Sequence, residues 1–411
     1  MRRVEETRAA ILDGISPLEV EYLPSEAAVG RRLATPLLAV QPIPAFDSSA
    51  VDGYAVIAGD VAAASAHSPA SLRLTGSSVA GGGPPPPVTT GRCVRILTGA
   101  PVPTGADAIV MQEDVQVTAE GIMLHAEVRC GAYIRPAGAE CAAGAEVLPA
   151  GFRITAAAAP LLLTAAPGGA LFARRPRVAV LTTGDEVLDA GAFGEAPFGA
   201  VVNTNRLMLK ALISDAGAEC CETAHAADSL EDTLRHLARF AKQPEPADVI
   251  IAAGGVSVGD RDFVKPAVEQ LGTLDLWRVA VKPGKPFAFG RIDKTLFFGL
   301  PGNPASAFVT FVLFVLPALR KLAGARHPEA DRWVTAVATK DLQCDPVRDE
   351  YLRAAVEFGE DGAVLRTAVG QGSGMLISLA RANALALLPA GGGAIRAGER
   401  VKAMLLQPVD A

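Results

Sequence analysis

The sequence predicts a multidomain α/β plus β protein built around a doubly wound three-layer α/β domain. Three observations predict it. From Pro176 onward, short apolar runs alternate with helical stretches, the pattern of a parallel sheet covered on both faces. Three of the runs, DVIIAAGGVSVGDRDF, LWRVAVKPGKPFAFG and LFFGLPGNPASAF, end in glycine, proline and charge between Asp248 and Pro304. On either side of this block the chain loses its helical period. Residues 46–140 and 327–411 read as β-rich. Residues 1–45 and 141–174 are helix-compatible and are expected to pack together as one discontinuous domain, with the α/β domain spanning 175–326.

Taken in order, Val4, Ile11, Leu12, Ile15 and Leu18 recur near helical spacing, and Ala27 to Leu33 reads as a second helix. Pro42 and Pro44 break the pattern. Asp52-Gly53 is a turn signal into the strand Tyr54 to Val56. Gly81 to Pro87, GGGPPPP, is a stiff surface loop. The strand Val94 to Leu97 ends at Thr98-Gly99 and the chain returns through Ala108 to Met111. ITAAAAPLLLTAA restores helix-compatible sequence before the α/β alternation starts.

That alternation runs Val178 to Leu181 (strand), Asn203 capping a helix to Asp215, Glu219 to Ala224 (strand), Leu230 to Lys242 (helix) and Val249 to Ala252 (strand). Asn303 as N-cap and Pro304 at the first helical position open a helix over Ala305 to Lys321, and Gly324 closes it. WVTAVAT, YLRAAVEF and ALALLPA then supply the strands of a C-terminal β domain.

Glycines at strand ends let backbone N–H groups approach a ligand, and the following helix adds its positive dipole end. Gly254, Gly255, Ser257 and the run Pro301, Gly302, Asn303, Pro304 are therefore candidate anion-binding positions. The window from Ser257 to Arg291 holds six cations against four anions in a chain of net charge −6. Lys282 and Lys285 flank a Pro-Gly turn, able to aim two ammonium groups at one anion, and Arg278 precedes them. Asp52, Glu186, Asp228, Asp260 and Asp262 are loop carboxylates suited to a hard divalent cation such as Mg²⁺. A polar turn beside a solvated Asp-Arg-Asp cluster accounts for either motif alone; three converging strand ends favour a pocket.

Composition excludes several classes. Half the residues are apolar and 20% are charged in 411 residues, enough for about two to four globular domains. A pI near 5.5 argues against nonspecific nucleic-acid binding. The six cysteines form no C-x-x-C pair and do not cluster with the five histidines, which opposes a structural zinc site or a disulfide framework and favours the reducing cytoplasm. The charged N-terminus does not read as a signal peptide. Ala305 to Leu319, the most apolar run, is interrupted by Ser306, Thr310 and Pro317 and reads as a buried core helix, with no membrane span expected. No G-x-S-x-G elbow, G-x-x-x-x-G-K-[ST] loop or H-E-x-x-H motif is present.

FDSSAVDGYAV, RILTGAPVP, LTTGDE, NTNRLML, GGVSVGDRDF, VKPGKPFAFG, GLPGNPASAF and GQGSGMLISLARANALALLPAG stand in the order found in the MoeA family, the molybdopterin molybdenumtransferases, and the chain resembles that family over nearly its whole length. The resemblance implies an α/β domain of the molybdopterin-binding type in a four-domain, elongated homodimer. It implies an enzyme that takes adenylylated molybdopterin and molybdate as substrates and, with Mg²⁺, inserts molybdenum into the dithiolene and releases AMP. Carried over residue by residue, it assigns Asp52, Thr98, Glu186, Asp262 and Lys282 to catalysis, Glu186 and Asp262 to the metal, and Asp228, Pro301 and Pro304 to substrate binding, to which Arg278 and Lys285 are added as cations of the same basic window. Molybdopterin adenylyltransferase and apo-molybdoenzymes are the implied candidate partners.

Departures from the family pattern are Arg278 for lysine, Ser48 for asparagine, Ala252-Ala253 for a serine pair, and Ala139-Glu140 where an acidic pair is usual. Two other readings stand beside the molybdenumtransferase: a molybdopterin adenylyltransferase, which shares the α/β domain, and a non-enzymatic carrier or scaffold for the finished cofactor.

Overall fold

The computed structural model describes residues 1–191, 196–256 and 262–406. Its centre is a six-stranded sheet in the spatial order Glu219–Ala226, Arg177–Thr183, Val249–Ala253, Thr295–Leu300, Ala288–Ile292, Thr273–Trp277. The first four strands run parallel. Ala288–Ile292 runs antiparallel to both of its neighbours, so the sheet is mixed where the sequence predicts a parallel one. The reason is local. Only Asp293 and Lys294 separate Ala288–Ile292 from Thr295–Leu300, and Asp293 takes φ 52°. A two-residue connection makes a hairpin, whereas a parallel crossover needs a dozen residues or more.

Every residue of Val249–Ala253 and Thr295–Leu300 is buried, as expected of strands covered on both faces. Alternate side chains separate into two cores. Val178, Val180, Val249 and Ile251 pack with Leu209, Ile213, Phe311 and Phe314 on one face. Ala179, Leu181, Ile250 and Ala252 pack with Leu237, Phe240, Val264 and Val268 on the other. The three layers follow from this period of two. Asn203 caps helix Thr204–Asp215 by accepting from Arg206 N at 3.2 Å, and Ser229 caps Leu230–Lys242 by accepting from Asp232 N at 3.2 Å.

The apolar run forms one helix, Pro304–Leu322, 78% of it buried, which fits the core-helix reading although its length and composition would also cross a membrane. Residues Phe311–Val315 form a π-helical turn just ahead of Pro317, whose missing N–H interrupts the α ladder.

The inserted region is a six-stranded sheet ordered Ala108–Met111, Gly53–Val56, Arg92–Ile96, Ala70–Ser78, Gly121–Leu124, Val115–Val117. Around it the two flanking segments do meet. Val20–Leu23 pairs antiparallel with Ala170–Ala173, Leu37–Leu38 with Glu146–Leu148, and Leu33, Leu37, Leu162 and Phe172 share a core.

Two expectations change here. Ala27 to Leu33 is not a helix: Gly30 sits at φ 84°, and the Gly30 and Leu33 amides donate to Ile154 O and Phe152 O. Helix Val4–Asp13 packs into the α/β core through Val4 and Ile11 rather than with residues 142–174.

The C-terminal strands close on themselves. Asp349–Gly359, Gly362–Thr367, Trp333–Ala338, Arg400–Leu405 and Ala384–Leu388 pair in that order, and Ala384–Leu388 pairs back onto Asp349–Gly359. A closed barrel leaves no edge within its ring. Val281–Lys282, from the KPGKP segment, adds to it in parallel beside Asp349 and Glu350.

Candidate functional site

The three strand ends converge. A cavity of about 960 Å³ opens at the carboxyl ends of Arg177–Thr183, Val249–Ala253 and Thr295–Leu300. The strand order places it at the switch point. From Arg177–Thr183 the chain goes first to one neighbour, Glu219–Ala226, and then back across to the other, Val249–Ala253. Loops diverge there and leave a crevice. The sheet end supplies Thr182, Thr183, Gly184 and Glu186; the next loops supply Asp228, Gly254, Gly255 and Asp262. Pro301, Gly302, Asn303 and Pro304 close the floor at the start of the long helix.

Two glycines shape this surface. Gly254 has φ 101°, and a Cβ there would stand 2.7 Å from Thr183 Oγ1. Gly184 has φ 126°, and a Cβ there would stand 2.8 Å from both oxygens of Glu186, whose carboxylate folds back over it. Any larger residue would displace an acid of the cavity wall.

The loop at Gly184 is held from behind. His225 Nε2 lies 3.1 Å from Gly184 O and its Nδ1 lies 3.1 Å from Thr182 Oγ1, which also accepts from Asn203 Nδ2 at 2.8 Å. A carbonyl can only accept, so Nε2 carries a proton and donates it to Gly184 O. Asp185 Oδ1 accepts the Asp228 N–H at 3.0 Å and joins the two acidic loops. Asn205, 9% exposed, donates to Gly302 O at 2.7 Å, while its Oδ1 has no partner among the described residues.

Asn303 holds the N-cap position ahead of Pro304, as the sequence predicts, but its side chain makes no capping bond. Its Nδ2 donates to Ser373 Oγ at 3.0 Å, and Ser373 O accepts the Ala305 N–H at 3.0 Å. The helix start is thus satisfied by the 370–378 segment, whose Gly374 and Leu376 also line the cavity. That segment is fixed by the fully buried Arg353, which donates to Ser378 Oγ at 2.9 Å, Gly372 O at 2.9 Å and Gly370 O at 3.2 Å.

The remaining expected residues stand elsewhere. Lys282 pairs with Glu350 on the barrel, Lys285 is exposed, and of that turn Pro286 lines the cavity. Arg278, at φ 72°, borders a separate recess with Arg2, Thr7 and Asp275. Asp52 and Thr98 meet in the inserted sheet: Thr98 donates its hydroxyl and its backbone N–H to Asp52 Oδ1, both at 2.7 Å. Those bonds, the hydroxyl first, hold the Asp52 carboxyl below the usual carboxylate range. The pair does not line the cavity. Ser257 lies outside the described residues, as do Asp260 and Arg261.

Ala252 is buried within its strand, so a serine there would face the core, whereas Ala253, also buried, lines the crevice, where a serine hydroxyl is missing. Among the described residues no group of three or more His, Cys, Asp or Glu could hold a metal ion by itself. Glu186 and Asp262, both in the cavity lining, still match the one or two carboxylates that Mg²⁺ takes alongside phosphate oxygens and water.

Three family descriptions match the chain in order: the MoeA N-terminal region, domains I and II, at residues 2–166; a probable molybdopterin binding domain at 179–321; and the MoeA C-terminal region, domain IV, at 335–406. The molybdopterin molybdenumtransferase of Haemophilus influenzae is 33% identical over 404 residues, covering 98% of each chain. That of Nostoc sp. is 34% identical over 401 residues, covering 95% of this chain and 90% of the relative. The crystal structure of the molybdopterin biosynthesis moeA protein from Pyrococcus horikoshii OT3 superposes with a TM-score of 0.83 at 28% identity, covering 98% of this chain and 100% of that one.

Proposed function

The chain belongs to the MoeA family of molybdopterin molybdenumtransferases, and from that premise we propose that the 960 Å³ cavity at the sheet's switch point binds its substrate. The enzyme inserts molybdenum from molybdate into the dithiolene of adenylylated molybdopterin and releases AMP, forming the molybdenum cofactor. One observation carries the placement of the site: Glu186, Asp228, Asp262, Gly254 and Pro301 to Pro304 line one crevice although they come from four separate loops.

In this reading the Gly254-Gly255 turn admits the substrate close to the backbone, and the start of helix Pro304–Leu322 favours its phosphate groups. Asn205 Oδ1, an unpartnered acceptor at the wall, takes a donor from the bound molecule. Glu186 and Asp262 hold Mg²⁺. When bound, that ion offsets phosphate charge and eases departure of AMP. Lys282 and Lys285, on the turn that reaches the cavity at Pro286, neutralise the incoming anions. Arg278 is part of the same basic segment.

Asp52 and Thr98 are proposed to complete the site from a second copy of the chain, in a homodimer. Their absence from the lining of the cavity supports that reading. All six cysteines are free thiols, which supports a reducing compartment, the cytoplasm. The test supplies adenylylated molybdopterin, molybdate and Mg²⁺ and follows AMP release together with reconstitution of an apo-molybdoenzyme. Tight binding without AMP release would leave only a carrier role.

A further inference from the structure

Helices Thr204–Asp215 and Pro304–Leu322 both begin at the site cavity and both run on to a second one. This second cavity, of about 670 Å³, lies where the discontinuous domain, the α/β domain and the last strand of the barrel meet. Eight arginines line it against two aspartates, in a chain of net charge −6.

Some of these arginines already have acidic partners. Asp331, its side chain 3% exposed, takes Arg8 and Arg320, each at 3.1 Å. Arg174 pairs with Glu19 and Asp248, and Arg31 pairs with Glu21. Arg32 differs. Half-buried, it donates to Gly151 O at 3.1 Å and has no carboxylate in reach among the described residues. Burial, followed by the charges of Arg153 and Arg320, holds its guanidinium below the usual arginine range. The side chain of Arg153 donates to Gly30 O at 3.4 Å and likewise has no acid partner among the described residues.

Like charges gathered in a partly buried recess destabilise one another unless an anion lies among them. Guanidinium forks match phosphate oxygens two at a time. A carboxylate brings one charge to such a site, whereas a phosphate ester or pyrophosphate brings two or more, which suits three arginines better. Apart from His327 the rest of the lining is apolar or glycine, with Phe308 and Leu316 of the long helix partly exposed in it. We propose that this cavity is a binding site for a small phosphorylated molecule, separate from the site cavity. Arg32, Arg153 and Arg326, none of them paired with an acid among the described residues, hold its phosphate, and Phe308 and Leu316 receive its apolar or aromatic part.

Titration calorimetry of the full chain with pyrophosphate tests this, with EDTA present so that no divalent ion recruits the probe to the carboxylates. The wild type is expected to show saturable binding that weakens steeply with salt. Arg153→Glu and Arg326→Glu, charge reversals at exposed positions of the lining, are each expected to weaken it at least tenfold with an unchanged melting temperature. Absence of binding to the wild type overturns the proposal. So does equal binding by wild type and both variants, which would place the pyrophosphate elsewhere. A loss of binding accompanied by a changed sedimentation coefficient would assign the arginines to a contact between subunits and would also overturn it.

Discussion

The ammonium of Lys282 lies 3.0 Å from Oε1 of Glu350, and the same two residues face each other in the parallel pairing of Val281–Lys282 with the barrel. Glu350's side chain is 9% exposed and that of Lys282 44%. The pair therefore ties the loop reaching the site cavity at Pro286 to the C-terminal domain, with the lysine end open to solvent and ligand.

A double-mutant cycle with Lys282→Met and Glu350→Gln measures that tie. Solvent at the lysine end screens the pair, so the expected coupling is about 1 kcal/mol rather than the larger figure of a fully buried pair. Urea unfolding of the four proteins gives it. A coupling near zero would mean that Lys282 acts on ligand alone.

Arg353→Met is expected to lower stability by roughly 2 kcal/mol, since it removes three hydrogen bonds that fix the 370–378 segment and leaves that segment unsupported. That segment supplies Gly374 and Leu376 to the cavity and Ser373 to the helix start. KM should therefore rise as well. Arg353→Lys should not restore either property, because an ammonium cannot reproduce the planar fork. Full rescue by lysine would show that charge alone is needed there.

The α/β alternation, the cap at Asn203 and the convergence of strand ends were legible because each is a local pattern of period or turn chemistry. The mixed sheet was harder to read. The turn Asp293-Lys294 carries no glycine to mark a hairpin, although its length alone forces one. Ala27 to Leu33 has helical composition, but two of its backbone donors, at Gly30 and Leu33, are taken by residues over a hundred positions away. At the site, acids and glycines on loops could be named from the sequence. His225, Glu350, Arg353 and Ser373 could not, since each matters through a partner distant in the chain. Asn205 had a signal, in the NTNRLML motif, where it reads simply as part of a helix start.

A shared site makes a quantitative prediction. Asp52→Ala and Asp262→Ala, each inactive alone, are mixed equally under conditions that exchange subunits. About half of the dimers are then mixed, each with one intact and one doubly damaged site, so activity recovers to about a quarter of wild type. No recovery, with exchange confirmed by differently tagged subunits, would reject a site built from two chains.

The placement of the reaction at Glu186 and Asp262 is tested most directly by single-turnover AMP release from adenylylated molybdopterin in the presence of molybdate and Mg²⁺. Both acids line the cavity on neighbouring strand-end loops, and neither contributes to a hydrophobic core. Glu186→Gln and Asp262→Asn should keep the circular-dichroism spectrum and melting temperature of the wild type while losing most of the AMP release. Release at the wild-type rate in both variants would contradict the account.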